Sequence, residues 1–129
     1  MSPKLIVVVS LLLFSGCGGT GESADVQLVE GQRFAPAELT VAAGEEILLE
    51  SRSPEEHTIT AYGDQIPEGA DYFASGGASS EDEARSELAG GLIGEGEDYA
   101  VTLDTPGTYN YFCIPHESQG MKGTITVTE

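Results

Sequence analysis

The sequence predicts an all-β sandwich, and three observations support this prediction. Segments that alternate apolar with polar residues are short, and residues that favour turns separate them at close intervals. Only the stretch between residues 62 and 98 contains a helical pattern. The chain has 129 residues, which is enough for one domain with one core. We therefore expect an antiparallel sandwich in a single domain.

The first half of the domain contains four strand candidates, at residues 26–29, 39–41, 47–50 and 57–61. A turn at residues 34–36 separates the first two, because Pro36 follows an aromatic and a small residue there. In the fourth candidate, side chains of alternate residues point to opposite faces. His57 therefore faces the core, whereas Thr58 and Thr60 face away from it.

Residues 62–98 interrupt the series of strands and are rich in Gly, Ala, Ser and acidic residues. Ser80 and Glu83 have the spacing of a helix capping box, and Ala84 and Leu88 lie on one face of the helix that would follow. The two glycines at 90–91 would end this helix. We interpret the segment as a surface insert with one short helix and no role in the chemistry.

Three further strand candidates close the domain, at residues 99–103, 108–113 and 123–128. In the segment 108–113, alternation places Tyr109, Tyr111 and Cys113 on the core face. Phe112 is predicted to lie on the opposite face. Cys113 thus ends its strand pointing inward, where water does not reach the thiol.

The turn after this strand carries the strongest functional signal. Cys113, His116 and Met121 have the spacing C-x2-H-x4-M, and the only other histidine of the chain is His57. Two imidazoles, a thiolate and a weak axial thioether are the ligands of blue-copper electron-transfer sites. Zinc also binds Cys and His in tetrahedral sites, but Met121 favours copper because a thioether is a poor zinc ligand. We therefore predict one copper ion held by these four residues.

The number of histidines also separates the candidate functions. Copper oxidases and nitrite reductases need additional histidines for their catalytic ions, and this chain has two in total. We therefore expect an electron carrier and no enzyme. A copper carrier or delivery protein is the alternative, because the ligand set alone does not exclude it. A metal-free adhesive sandwich is the third class.

The first residues predict export and a lipid anchor. Lys4 precedes the run LIVVVSLLLF at 5–14, which is too short for a conventional membrane span but suits the core of a signal peptide. Ser15, Gly16 and Cys17 then resemble a lipobox, in which the cysteine is lipidated. We predict a signal peptide at 1–16, a lipid-anchored tether at 17–24 and a location on the extracytoplasmic face of the cell membrane. A plain secretory signal cut near this point is the alternative.

Charge limits the partners that the protein can have. The chain has 22 acidic and five basic residues, and its net charge is −17. Loss of Lys4 with the signal peptide leaves four basic residues and a net charge of −18. Such a surface excludes nucleic-acid binding. The acids are spread from Glu22 to Glu129, which favours a generally acidic surface suited to high salt over a local acidic docking patch.

The segment GTYNYFCIPH at 107–116, followed by GMKG at 120–123, resembles the copper loop of plastocyanins. The stretch HTITAYGDQIPEGADYFASGG, the acidic composition and the lipobox more specifically resemble halocyanins, which are membrane-anchored plastocyanin relatives of salt-loving archaea. The resemblance implies a cupredoxin-like Greek-key sandwich over 25–129 and one copper that cycles between Cu(I) and Cu(II). It also implies that His57, Cys113, His116 and Met121 are the ligands and that His116 is the exposed electron exit.

From the same resemblance we expect a monomer that exchanges electrons with a redox-protein donor and acceptor among membrane respiratory components. An apolar patch around His116 would form the docking face. Its candidate members are Phe34, Pro36, Ile114 and Pro115.

Overall fold

The computed structural model describes residues 24–129, which form two four-stranded β-sheets. The predicted signal peptide at 1–16, the lipidation site Cys17 and all but the last residue of the tether at 17–24 lie outside the described residues. These assignments stay predictions. Within the described part, no helix has the length and apolar character needed to cross a bilayer.

Eight strands build the sandwich, one more than the seven strand candidates of the sequence. They are β1 (Val26–Val29), β2 (Arg33–Ala35), β3 (Glu38–Ala42), β4 (Glu46–Ser51), β5 (Thr60–Ala61), β6 (Asp98–Thr102), β7 (Gly107–Phe112) and β8 (Lys122–Thr128). One sheet has the order β2-β1-β4-β6 and the other β3-β8-β7-β5. The core lies between the sheets, and its fully buried aliphatic residues include Val26, Leu28, Ile47, Leu49 and Ile125.

The pairing of the strands corrects the expectation of a purely antiparallel sandwich. β1 is parallel to β4, and β3 is parallel to β8, while the other pairs are antiparallel. In each parallel pair, other strands lie between the two partners in the chain, so no simple hairpin turn connects them. Alternation of apolar residues predicts that a segment is a strand, but it does not determine the direction of its neighbour.

The segment predicted as a turn at 34–36 instead contributes strand β2. Phe34 lies opposite Leu28 in the antiparallel pair with β1. Its side chain is buried, and its ring meets that of Tyr111 edge-on at a centroid distance of 4.7 Å. Burial of this aromatic side chain outweighs the local turn signal, and Pro36 follows the strand rather than interrupting it.

The segment 57–61 is only partly a strand and is buried on both faces. His57 forms a single bridge with Ile93, and regular pairing begins at Thr60. Thr58 and Thr60, predicted to face away from the core, are each 1% exposed. Their hydroxyl groups lie 2.9 Å apart and hydrogen-bond to each other, and Thr60 also bridges to Ala74 of the insert. The insert therefore covers the face that alternation assigned to solvent.

The insert contains two short helices rather than one, α1 (Glu81–Ser86) and α2 (Leu88–Gly91). The predicted cap is confirmed, because the Ser80 hydroxyl accepts a hydrogen bond from the backbone N–H of Glu83 at 3.1 Å. The helix breaks at Glu87, whose φ and ψ of −111° and 46° are not helical. At Gly91, the Ser75 carbonyl oxygen approaches so closely that a Cβ would lie 2.7 Å from it.

Strand β7 shows how far the insert reaches over the sheet. Tyr109, Tyr111 and Cys113 face the core as predicted, but Phe112 on the other face is also fully buried. The ring of Tyr62 stacks on Phe112 with centroids 4.2 Å apart. The insert is therefore packed against the sheet directly beside the strand end that carries Cys113.

Candidate metal centre

The predicted ligands come from two loops at one end of the sandwich. His57 lies in the segment between β4 and β5, and Cys113 follows β7 directly. His116 precedes a 3-10 helix at Glu117–Gln119, and Met121 precedes β8. β7 and β8 pair up to their ends, and the backbone N–H of Cys113 donates to the carbonyl of Met121 at 3.0 Å. The hairpin therefore fixes the two sulfur-bearing residues side by side.

The side chains of His57, Cys113 and His116 converge on one point. Cys113 Sγ lies 3.6 Å from Nδ1 of His57 and 3.4 Å from Nδ1 of His116. The ligand atoms of the three residues all lie within 4.8 Å of one another. Nitrogen and sulfur atoms that share a tetrahedral metal, at about 2.0–2.3 Å each, are separated by about 3.5 Å. The spacing therefore fits a single ion between two imidazoles and a thiolate.

Burial divides the ligands into a closed group and an exposed one. His57, Cys113 and Met121 are fully buried, whereas His116 is partly exposed. Burial, and next the nearby His116, lower the pKa of His57, which keeps its imidazole neutral and its lone pair free. Burial raises the pKa of the Cys113 thiol. A bound metal ion displaces the thiol proton, because the thiolate is the ligand form of cysteine.

Thr58 supports the sulfur ligand, and sequence reasoning did not assign it a role. Its backbone N–H donates to Cys113 Sγ at 3.5 Å. Its hydroxyl oxygen accepts from the backbone N–H of Ile114 at 2.9 Å and so joins the two ligand loops. Pro115 has no N–H to offer the sulfur. The one sequence feature that pointed to a role for Thr58 was its position directly after the ligand His57. The prediction that its side chain faces away from the core argued against that role.

Met121 is held at the site by its backbone as well as by its burial. Its carbonyl accepts from Cys113, and its N–H donates to the carbonyl of His116 at 3.3 Å. The turn thereby connects all three of its ligand residues through hydrogen bonds. A buried thioether beside the His–Cys–His group completes the ligand types of a blue-copper centre.

Comparison with known proteins places the chain among copper proteins. It is 40% identical over 94 residues to "Plastocyanin" of Rumex obtusifolius, which covers 73% of this chain and 86% of that protein. The structure is similar to the oxidized form of plastocyanin from Dryopteris crassirhizoma, with a TM-score of 0.57 and 31% identity over 81% of this chain and 100% of that one. A purple cupredoxin from Nitrosopumilus maritimus has a TM-score of 0.58 at 16% identity, covers 82% of this chain and 100% of its own, and supports the fold alone.

A two-sheet sandwich with a His–Cys–His group at one end, in which only His116 is partly exposed, defines a cupredoxin, a one-copper electron carrier. Residues 21–128 match the family described as "Copper binding proteins, plastocyanin/azurin family", and the chain belongs to that family. It is therefore an electron carrier and not an enzyme. The predicted cofactor is confirmed: His57, Cys113, His116 and Met121 form its type 1 copper site.

Met121→Gln tests whether the thioether acts as the axial ligand. We expect the variant to keep its copper and its colour, because the axial ligand tunes the metal more than it holds it. The amide oxygen is a harder donor and favours Cu(II), so the reduction potential should fall by more than about 59 mV, a tenfold change in the one-electron equilibrium. Redox titration measures this shift, and Met121→Leu serves as a control of similar volume without a donor atom. An unchanged potential in Met121→Gln would show that Met121 is only a core residue.

Proposed function

We propose that the protein is a halocyanin-like electron carrier, anchored by a lipid on Cys17 to the extracytoplasmic face of the membrane. The group of His57, Cys113 and His116 supports the carrier function, since two imidazoles and the sulfur of a cysteine already face one another in the folded chain. The apolar run at 5–14 and the small residues before Cys17 support the anchor. The chain has two cysteines, and copper binding uses only Cys113.

The topology is compatible with an anchor at this position. β1 runs parallel to β4, and β4 leads into the loop that carries His57. The chain therefore enters the domain at the end opposite the copper centre. Cys17 and Val26 are nine positions apart in the sequence, and any chain of that length spans at most about 30 Å, at roughly 3.3–3.6 Å per residue. A tethered domain of this kind can turn its copper end toward a redox protein in the same membrane.

Electron transfer at this site uses the fixed positions of the ligands. Copper supplies the one-electron chemistry by cycling between Cu(I) and Cu(II). The β-sandwich holds Cys113 and His57 in a fully buried setting, which leaves these ligands little freedom to rearrange when the oxidation state changes. His116 is the only one of the four ligands with solvent exposure, so its imidazole is the proposed exit for the electron.

The exposure of the candidate residues revises the membership of the proposed apolar docking face. Pro36 and Pro115 are exposed and Ile114 is partly exposed. Phe34, which the sequence suggested as a fourth member, is 3% exposed and belongs to the core.

Burial of three of the four ligands argues against the copper-delivery alternative, because a delivery site has to release its ion.

Cys17→Ser tests the anchor. In a host that processes lipoproteins and is supplied with labelled palmitate, we expect the parent protein to incorporate the label and to sediment with membranes. Cys17→Ser should lose the label, because serine offers no thiol for the thioether bond. Cys113→Ser removes the other cysteine and should keep the label. A mature parent chain whose mass shows an unmodified N-terminus after Cys17 would contradict the anchor.

A further inference from the structure

Arg85, in helix α1 of the insert, makes contacts on both sides of the copper-ligand turn. Its Nη1 and Nη2 atoms donate to the two carboxylate oxygens of Glu117, at 2.9 Å and 3.3 Å. Its Nε and Nη2 atoms also contact one oxygen of Glu81, at 2.9 Å and 2.7 Å. The guanidinium carbon lies 4.5 Å from the ring centroid of Phe112. One planar side chain therefore connects α1 with β7 and with the copper loop.

Two of the residues that Arg85 contacts flank the Cys113–His116 segment of the ligand turn. Phe112 immediately precedes Cys113, and Glu117 immediately follows His116. A forked pair of hydrogen bonds between guanidinium and carboxylate restricts direction as well as distance. The contacts of Arg85 therefore restrict the chain immediately before Cys113 and immediately after His116.

Tyr62, at the start of the insert, strengthens the same contact. Its ring stacks on Phe112 at 4.2 Å with an interplanar angle of 21°, and its hydroxyl donates to Glu117 Oε2 at 2.8 Å. The hydrogen bond from Arg85, opposed in part by burial, holds the pKa of Glu117 below its usual value. Glu117 is thus a carboxylate that accepts hydrogen bonds from two parts of the insert at once.

His116 depends on such support more than His57 does. The backbone N–H and carbonyl of His57 are both paired with Ile93, at 3.1 Å and 2.8 Å, and its ring is fully buried. The backbone bonds of His116 stay within its own loop, to Cys113, Gln119 and Met121. The hydroxyl of Thr58 connects the first half of this loop to the domain through Ile114. Arg85 and Tyr62 provide the corresponding connection for the second half.

We propose that Arg85 is a positioning residue for His116 and that the insert is therefore part of the electron-transfer apparatus. By holding Glu117, Arg85 limits the movement of the His116 imidazole between the two oxidation states of copper. The insert contributes no ligand of its own. The proposal concerns the copper centre alone and does not depend on the lipid anchor.

Three variants separate positioning from charge. Arg85→Met removes both the fork and the charge, and Arg85→Lys keeps the charge but cannot form the fork. Arg52→Met removes one positive charge from the exposed ion pair with Glu50, whose atoms are 3.3 Å apart, and serves as the matched control. The first readout is amide hydrogen exchange of Gln119, Gly120 and Met121 in the metal-free protein. The second is the electron self-exchange rate of the copper-loaded protein at about 1 M salt, where the screening length is about 3 Å.

We expect Arg85→Met to accelerate hydrogen exchange at these three amides and to slow self-exchange on the order of tenfold, the effect of about 1.4 kcal/mol on the barrier. Arg85→Lys should show most of the same acceleration and slowing, because it cannot form the fork, and Arg52→Met should match the parent in both readouts. Glu117→Gln, which weakens the acceptor, should reproduce Arg85→Met and carries the test if Arg85→Met does not fold.

Several results would overturn the proposal. Parent-like behaviour of Arg85→Lys in both readouts would show that charge alone is sufficient. Slower self-exchange without any change in the hydrogen exchange of the metal-free protein would also assign the effect to charge rather than to positioning. Parent-like behaviour of Arg85→Met and Glu117→Gln would mean that the loop holds His116 without the insert. The hydrogen-exchange readout needs no copper, so it stands whether or not the protein transfers electrons.

Discussion

Cys113→Ser is expected to abolish the blue colour of the copper-loaded protein. The colour arises from charge transfer between the thiolate and Cu(II), and Cys113 is the only cysteine in the described part of the chain. A serine hydroxyl is a poor donor at neutral pH and leaves two imidazoles and a thioether, so copper affinity should also fall by several orders of magnitude. Visible absorption and a copper titration under identical conditions measure both effects.

Cys17→Ser is the matched control for this experiment, because it removes the other cysteine of the sequence. It should keep the full colour and one copper per chain. His57→Ala offers a second comparison: it should weaken copper binding and open the site to added ligands such as imidazole. An intense blue colour in Cys113→Ser would mean that the thiolate assignment is wrong.

A charged residue at Ile114 is expected to slow electron transfer to a redox-protein partner on the order of a hundredfold. Ile114 is partly exposed and lies between Cys113 and His116 in the chain, and we assign it to the proposed apolar docking face around the His116 imidazole. Burying an unpaired charge at the centre of an interface costs several kcal/mol. We expect Ile114→Asp to show this loss and Ile114→Val, which keeps the apolar character, to behave like the parent.

The acidic surface should contribute much less to docking. Asp64, Asp82 and Glu87 are exposed acids on the insert, and neutralising all three should change the rate only a few-fold. The screening length falls from about 10 Å at 0.1 M salt to about 3 Å at 1 M, so distant charges no longer steer the partners in strong brine. Stopped-flow rates across a salt series test this. A steep fall with salt in the parent, together with a larger loss in the triple variant than in Ile114→Asp, would instead establish an acidic docking patch.

The ligand set was predictable from the sequence because the ligand types are chemically restrictive. Cys113, His116 and Met121 stand close together on one turn, and only one other histidine exists to complete the site. The strands that flank the site were also predictable, since β7 and β8 have one face in the core and alternate accordingly. The structure brings His57 and Cys113 together as this pattern requires.

The burial assigned to residues from the sequence is wrong where a segment from elsewhere in the chain covers the outer face of a strand. Phe112 and Thr58 were assigned to solvent by alternation, but Tyr62 covers the first, and the hydrogen bonds to Ile114 and Thr60 take up the hydroxyl of the second. The alternation of apolar and polar residues indicates which face of a strand points to the core. It does not indicate whether an insert packs over the other face. Strand β2 was missed for a similar reason. Phe34 is buried because it packs against Tyr111, and the residues next to Phe34 in the sequence do not indicate that contact.

The visible absorption spectrum of the copper-loaded protein tests whether the chain is a type 1 copper electron carrier. We expect one copper per chain and an intense blue band that disappears on reduction with ascorbate and returns fully on reoxidation with ferricyanide over repeated cycles. This behaviour follows from a thiolate and two imidazoles held at fixed positions around one ion. A colourless copper-loaded protein, or one that loses its copper on reduction, would contradict the assignment of a type 1 electron carrier.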